Sequence, residues 1–256
     1  MNSSRRDFLK NSALAGAMLA VAAPQRLSAA AFPEKQSTDE GKGFTFLFQG
    51  DSITDGNRTR NNDWNHVMGH GYQFIIASQL WYNKPEKEFR FFNRGVSGNK
   101  VPDLAARWQQ DTLDLKPDLL SFLVGINDTS AMINGDNSFS AERYEADYRA
   151  LLEQTKKELP DIRFVLGDPF ILPVGYVKDN WTRYAAETRK KQQIVKQLAA
   201  EFNAVHVEYQ KAFDKALAKA PADYWIWDGI HPMPAGHELM AREWIKQVSK
   251  KLSFIR

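Results

Sequence analysis

From residue 44 onward, short apolar runs alternate with longer segments of helical periodicity, and this alternation restricts the chain to very few architectures. Phe44–Phe48 reads as a buried aromatic strand, Glu88–Asn93 as a second, and Asp118–Val124 as a third. Arg163–Leu166 and Ala204–Val207 supply a fourth and a fifth. The third run is almost continuously apolar, as a parallel strand covered on both faces must be. Between the strands, helices are predicted at His66–Tyr82, Pro102–Asp111, Ala141–Leu159 and Thr182–Phe202, followed by Glu208–Ala218 and Pro234–Leu252. Parallel strands need crossovers, so the pattern predicts one doubly wound α/β domain over residues 44–256. In such sheets ligands bind beyond the carboxyl ends of the strands, which makes the segments after strands one, two and three the place to look.

Composition excludes several function classes. The chain has no cysteine, which rules out disulfides, thiolate nucleophiles and cysteine-ligated metal. The formal charge of +3 resides in the first 30 residues, where Arg5, Arg6, Lys10 and Arg26 outnumber Asp7. Beyond them acidic and basic residues balance, so charge gives no argument for a nucleic-acid partner. No run of apolar residues is long enough for a stable membrane span.

The N-terminus reads as an address. Ser4-Arg5-Arg6-Asp7-Phe8-Leu9-Lys10 resembles a twin-arginine export motif, Ala13–Ala23 suits a signal's apolar region, and Ser28-Ala29-Ala30 suits cleavage near Ala30. Residues 1–30 are therefore expected to be a signal peptide, and the mature protein periplasmic or extracellular. Residues 31–43 read as a flexible polar lead-in.

Four segments carry the chemistry. Gly50-Asp51-Ser52-Ile53-Thr54-Asp55-Gly56 follows strand one, and Asn93-Arg94-Gly95-Val96-Ser97-Gly98-Asn99 follows strand two. Gly125-Ile126-Asn127-Asp128 follows strand three, and Asp228-Gly229-Ile230-His231-Pro232 stands near the C-terminus. Each alone is an ordinary turn or helix start. Together, in this order and at one edge of the sheet, they resemble the blocks of the SGNH (GDSL-type) hydrolases, with Ser52, Gly95, Asn127 and His231 at the naming positions. The likeness is closer to acetylxylan esterases and related carbohydrate esterases, through Val124–Asp128 and through Asp228–Pro232 leading into Ala235-Gly236-His237. It implies a three-layer α/β/α sandwich around a five-stranded parallel sheet, flavodoxin-like in form. It further implies a serine esterase for acetyl groups on an oligo- or polysaccharide, with no metal or organic cofactor.

The residue types suit that chemistry. A serine hydroxyl needs a base within hydrogen-bond reach, and the base needs an acceptor that fixes its tautomer. Asp228 stands three residues before His231, so in a turn its carboxylate folds back onto the imidazole and the pair reaches Ser52 as a unit. The backbone N–H groups of Ser52 and Gly95 and the side-chain amide of Asn127 are the expected donors to the oxyanion. Trp64, Trp225 and Trp227 are candidates for stacking on sugar, the last two on a shared face if their stretch is extended. Asp51 and Asp55 are expected to fix the loop by hydrogen bonds, Asp51 being also a candidate for substrate contact. Asp128 is expected to cap the next helix, and the insertion Ile171–Trp181 to shape one side of the site. His66 and His70 could share a helix face, but without a third ligand they read as solvated; His206 reads as packed and His237 as structural. Competing expectations are an arylesterase, thioesterase or lysophospholipase-like enzyme of the same family, and an exported glycan-binding protein without turnover.

Overall fold

The computed structural model describes residues 40–61, 63 and 65–256. The signal expected over 1–30, the lead-in as far as residue 39, and Trp64 lie outside the described residues. The end of the lead-in is a turn, held by Gly43 N–H on the Lys87 carbonyl and by Phe44 N–H on that of Gly41.

Five strands form one parallel sheet: β1 (Thr45–Gly50), β2 (Arg90–Asn93), β3 (Leu119–Leu123), β4 (Arg163–Gly167) and β5 (Val205–Val207). Their order is β2-β1-β3-β4-β5, with Phe46 paired to Phe91 on one side and to Leu119 on the other. The order reverses between β1 and β3, which opens a crevice beyond their carboxyl ends.

Alternation along β1 sends its side chains into two cores. Phe46 and Phe48 point to one face, where α2 (Tyr72–Asn83), α8 (Tyr209–Ala216) and α10 (Pro234–Val248) pack through Tyr72, Phe213 and Trp244. Leu47 points to the other, against α3 (Val101–Ala105), α5 (Ala141–Glu158) and α7 (Trp181–Glu201), with Trp108, Tyr148 and Leu198. Both layers are pinned to the sheet by polar contacts as well. Trp244 Nε1 donates to Ser121 Oγ at 2.9 Å, and Gln49 Nε2 to Thr112 Oγ1 at 2.8 Å.

The expected strands all form, with ends moved by at most two residues. The helix expected over His66–Tyr82 begins only at Tyr72, because Gly69 takes a left-handed φ of +67° and breaks the turn before it. The one expected over Pro102–Asp111 is short, ending at Ala105 before a π-turn at Gln109–Leu113. Four further helices stand at the sheet's carboxyl edge: α1 (Ser52–Asp55), α4 (Ile126–Ile133), α6 (Gly175–Asp179) and α9 (Ala222–Trp225). Among the described residues no helix is long and apolar enough to cross a membrane.

Candidate active site

β1 ends in Gly50 and turns at once into α1, so Ser52 stands at the first turn of a helix at the crevice. Asp51 caps that helix, its Oδ1 accepting the Ile53 N–H at 3.0 Å. Its side chain is buried, which corrects the expectation that it meets substrate. Burial pushes the Asp51 carboxyl up to about 7, against the pull of the Ile53 N–H and of His231. Asp55 has the loop-fixing role. It accepts from Arg58 N–H, from Ser97 N–H and Oγ, and from the Arg60 guanidinium.

The C-terminal segment closes over the serine. Asp228 Oδ1 accepts the N–H groups of Ile230 and His231 at 2.9 and 2.7 Å, which curls the loop. Its Oδ2 lies 2.6 Å from His231 Nδ1, and His231 Nε2 lies 2.8 Å from Ser52 Oγ. Three groups separated by up to 179 positions thus form one hydrogen-bonded line. Burial alone would raise the Asp228 carboxyl; the hydrogen bonds from His231 and Ile230 outweigh it and hold the group below the ordinary carboxylate value. The same contact raises His231 above the ordinary imidazole value, against partial burial. Such a line can take a proton from the hydroxyl while the carboxylate steadies the imidazolium.

The Ile171–Trp181 insertion supports this loop from beneath. Leu172 N–H donates to the Gly229 carbonyl at 3.0 Å, and Gly175 has φ +54°. A Cβ at Gly175 would fall 2.4 Å from Asp228 Cα, so only glycine allows the insertion this close to the aspartate.

Asn127 lies in the first turn of α4, and its Nδ2 donates to the Asn99 carbonyl at 3.1 Å, which orients the amide and leaves its second hydrogen. Asp128 does not cap α4, whose cap is Gly125; it is buried and accepts the Val101 N–H at 3.3 Å.

Gly95 departs from expectation. Its N–H is taken by Asn93 Oδ1 at 2.9 Å, and a Cβ there would fall 2.4 Å from Asp55 N. The glycine lets the β2 loop close on α1 and does not offer an amide to substrate. In the same loop Gly98 sits in a turn closed by Asn99 N–H on the Val96 carbonyl, and among the described residues the Gly98 N–H meets no acceptor. Asn93 was the signal for this difference: an asparagine two residues before an amide readily forms a local turn with it. Asn93 also does what no motif announced. Its Nδ2 reaches the carbonyls of Thr54, Asp55 and Met68 at 2.7, 3.1 and 3.0 Å.

The tryptophans separate. Trp227 is 62% exposed, its ring 6.4 Å from that of His231 and inclined by 30°. Trp225 ends α9, is half-buried, and donates Nε1 to the Ala220 carbonyl, so the shared face expected for the two does not form. His66 is exposed and paired with Asp63, and His70 is exposed; among the described residues no three His, Asp or Glu side chains gather as a metal site requires. His237 Nδ1 accepts the Tyr72 N–H at 3.1 Å.

Residues 48–239 match the GDSL-like lipase/acylhydrolase family, and the chain belongs to it. The chain is 35% identical over 216 residues to an acetylxylan esterase of Geobacillus stearothermophilus, covering 81% of this chain and 95% of that one. The solved structure of an acetylxylan esterase from that organism superposes with a TM-score of 0.71 at 33% identity, again over 81% and 95%. A structure from Parabacteroides merdae, assigned as a GDSL-like lipase, gives 0.79 at 38% identity over 82% of this chain and 98% of that one. Structures of the Geobacillus enzyme described as catalytic mutants replace a serine, an aspartate and a histidine, the aspartate three positions before the histidine. Another replaces the tryptophan immediately before that aspartate. Fold and relatives together make this protein a carboxylic ester hydrolase.

Proposed function

We propose that the protein removes acetyl groups from an acetylated oligo- or polysaccharide, with Ser52 as nucleophile, His231 as general base and acid, and Asp228 as the group that orients it. The hydrogen-bonded line from Asp228 through His231 to Ser52 carries the reading. The spacing of the aspartate and histidine replaced in the acetylxylan esterase, three positions, is also that of Asp228 and His231.

His231 Nε2 takes the Ser52 proton as Oγ attacks the acetyl carbonyl. The charge that develops on the carbonyl oxygen is met by the Ser52 N–H, the Asn127 amide and, in place of Gly95, the Gly98 N–H. His231 then gives its proton to the sugar oxygen, which departs and leaves acetyl-Ser52. Water, deprotonated by His231, releases acetate and restores the serine. Trp227, exposed beside His231, offers a flat apolar face to the sugar. The N-terminal segment is proposed to export the chain, and the N-terminus of protein recovered outside the cytoplasm tests this by mass spectrometry.

The first test is release of acetate from acetylated xylan beside hydrolysis of 4-nitrophenyl esters of two, four and eight carbons, with Ser52→Ala as control. Acetate from xylan and preference for the two-carbon ester, both lost in Ser52→Ala, are expected. Preference for the eight-carbon ester with no acetate from xylan would overturn the carbohydrate assignment, and undiminished turnover by Ser52→Ala the nucleophile.

A further inference from the structure

Behind Asn127, where α4, α5 and α7 meet, two opposite charges are sealed inside the protein. Lys191 of α7 is fully buried, and its Nζ makes no hydrogen bond to the described residues. It stands over the Tyr144 ring, 5.6 Å from the centroid. Asp128 of α4 is equally buried: Oδ1 accepts the Val101 N–H, while Oδ2 has no partner among the described residues. The two do not touch as an ion pair, yet in a poorly screened interior charges act on one another across several ångströms.

A buried ammonium without a hydrogen bond is expensive and ordinarily loses its proton, unless an opposite charge compensates it. Asp128 is the buried carboxylate that does so. The benefit is mutual. Burial pushes the Asp128 carboxyl up to about 6, and Lys191 and Lys100 oppose that rise.

Asp128 is well placed to matter. It adjoins Asn127 in the chain, and its carboxylate holds the Val101 N–H. Two residues before Val101 stands Asn99, whose carbonyl receives the Asn127 amide. One ionised carboxylate therefore ties the helix that carries the asparagine to the loop that aims it. Protonated, it would be a weaker acceptor for that N–H.

We propose that Lys191 is a positioning residue for the ester hydrolysis: its buried ammonium keeps Asp128 a carboxylate, and Asp128 holds the Asn99–Val101 backbone that aims the Asn127 amide at the oxyanion. This rests on the reading of Asn127 as an oxyanion donor. Among the described residues Asp128 faces Lys191 from α7, Lys100 from the turn before α3, Asp51 from the cap of α1 and Tyr144 from α5. Lys191 faces Glu142 of α5 besides Glu187 and Lys190 of its own helix. Of these, Lys191 is the fully buried cation, so its removal bears most directly on Asp128.

The test is kcat and KM for 4-nitrophenyl acetate between about pH 5.5 and 9, in wild type, Lys191→Met, Lys191→Arg, Asp128→Asn, the Lys191→Met/Asp128→Asn double variant and Asn127→Ala. Each is read as a ratio to wild type, which cancels the titration of His231. Lys191→Met is expected to lower kcat roughly tenfold near pH 6, a part of the about 10²–10³ that losing an oxyanion donor costs. The loss should shrink at high pH, where Asp128 ionises unaided, while KM stays within about twofold. Lys191→Arg, which keeps the charge, should lose less than Lys191→Met at pH 6. With Asp128→Asn in place, Lys191→Met should add nothing. A Lys191→Met ratio flat across pH, or a loss additive with Asp128→Asn, would overturn the proposal. If Lys191→Met does not fold, Asp128→Asn decides alone: unchanged kcat refutes the positioning role, and lowered kcat with KM retained supports it. Should Asn127→Ala keep full kcat, the oxyanion reading fails; should it lose kcat while Lys191→Met keeps it, only this inference fails.

Discussion

Asn93, the last residue of β2, donates its side-chain amide to the carbonyls of Thr54 and Asp55, so the neighbouring strand holds down the helix that carries Ser52. Asn93→Ala would strip that anchor and leave the Thr54 carbonyl and the Gly95 N–H unpaired, while the carbonyls of Asp55 and Met68 keep the Arg58 N–H and Gln73 Nε2. Loss of such partners costs about 1–3 kcal/mol for each buried group left unsatisfied. We expect a lower denaturant midpoint with unchanged slope, and a fall in kcat as α1 loosens. Asn93→Asp should be no better, because its carboxylate cannot donate to three carbonyls. A variant with wild-type melting and wild-type kcat would refute this role.

On the proposed mechanism, the contact between Asp228 and His231 sets the pH range of activity. His231 must be neutral to accept the Ser52 proton, and its affinity for protons is raised by Asp228. Activity is therefore expected to fall as pH drops through a midpoint above about 6.5, the ordinary histidine value. In Asp228→Asn that support is gone, so the acid midpoint should move down. Catalysis should fall by up to about 10⁴, since the amide can also favour the wrong tautomer. A pH profile of kcat/KM for both proteins measures each effect. An unchanged midpoint in Asp228→Asn would show that another group titrates there.

Trp227 should distinguish sugar recognition from ester chemistry. Replacing it by alanine removes an exposed ring beside His231 and little packing. KM for an acetylated xylo-oligosaccharide is expected to rise roughly tenfold, as loss of an aromatic contact of about 1–1.5 kcal/mol implies. Hydrolysis of 4-nitrophenyl acetate should change little. Equal losses on both substrates would place Trp227 with the catalytic loop rather than the sugar.

His237 makes stability depend on pH. Burial, with His70 and His231 nearby, lowers it to about 4, and its neutral Nδ1 receives the Tyr72 N–H at the start of α2. The folded state therefore resists a proton that the unfolded chain accepts below about pH 6.5. This contribution is complete above that pH and is lost as pH falls toward 4, on the order of 3 kcal/mol in all. Thermal melting of His237→Gln, whose carbonyl can still accept from Tyr72 and does not titrate, should be less sensitive between pH 7 and 4.5 than that of wild type. Equal sensitivity would locate the acid response elsewhere.

The strand and helix pattern was legible because each element's periodicity is local, and two-faced burial of a parallel strand writes itself into runs such as Leu119–Leu123. That Ser52, Asp228 and His231 come together, with Asn127 at the same edge of the sheet, was legible because each follows a strand or shares a tight turn, where few contacts decide what a residue faces. The start of α2 at Tyr72 was less so, since the course of the chain through Gly69 and Gly71 depends on the Gly56 loop against which it folds. The task of Gly95 was misread for a related reason. Which amide in a loop stays free depends on which side chain reaches it first, and Asn93 reaches Gly95.

Sequence alone thus determined the layered architecture and which side chains follow its strands at the carboxyl edge. Tertiary structure decided the rest: that Asp51 lies beneath the serine, that Trp227 is exposed while Trp225 is half-buried, and that Lys191 and Asp128 share one sealed interior. Those outcomes are set by contacts between residues far apart in the chain, and burial, which governs their charge and their reach, exists only once the layers have closed.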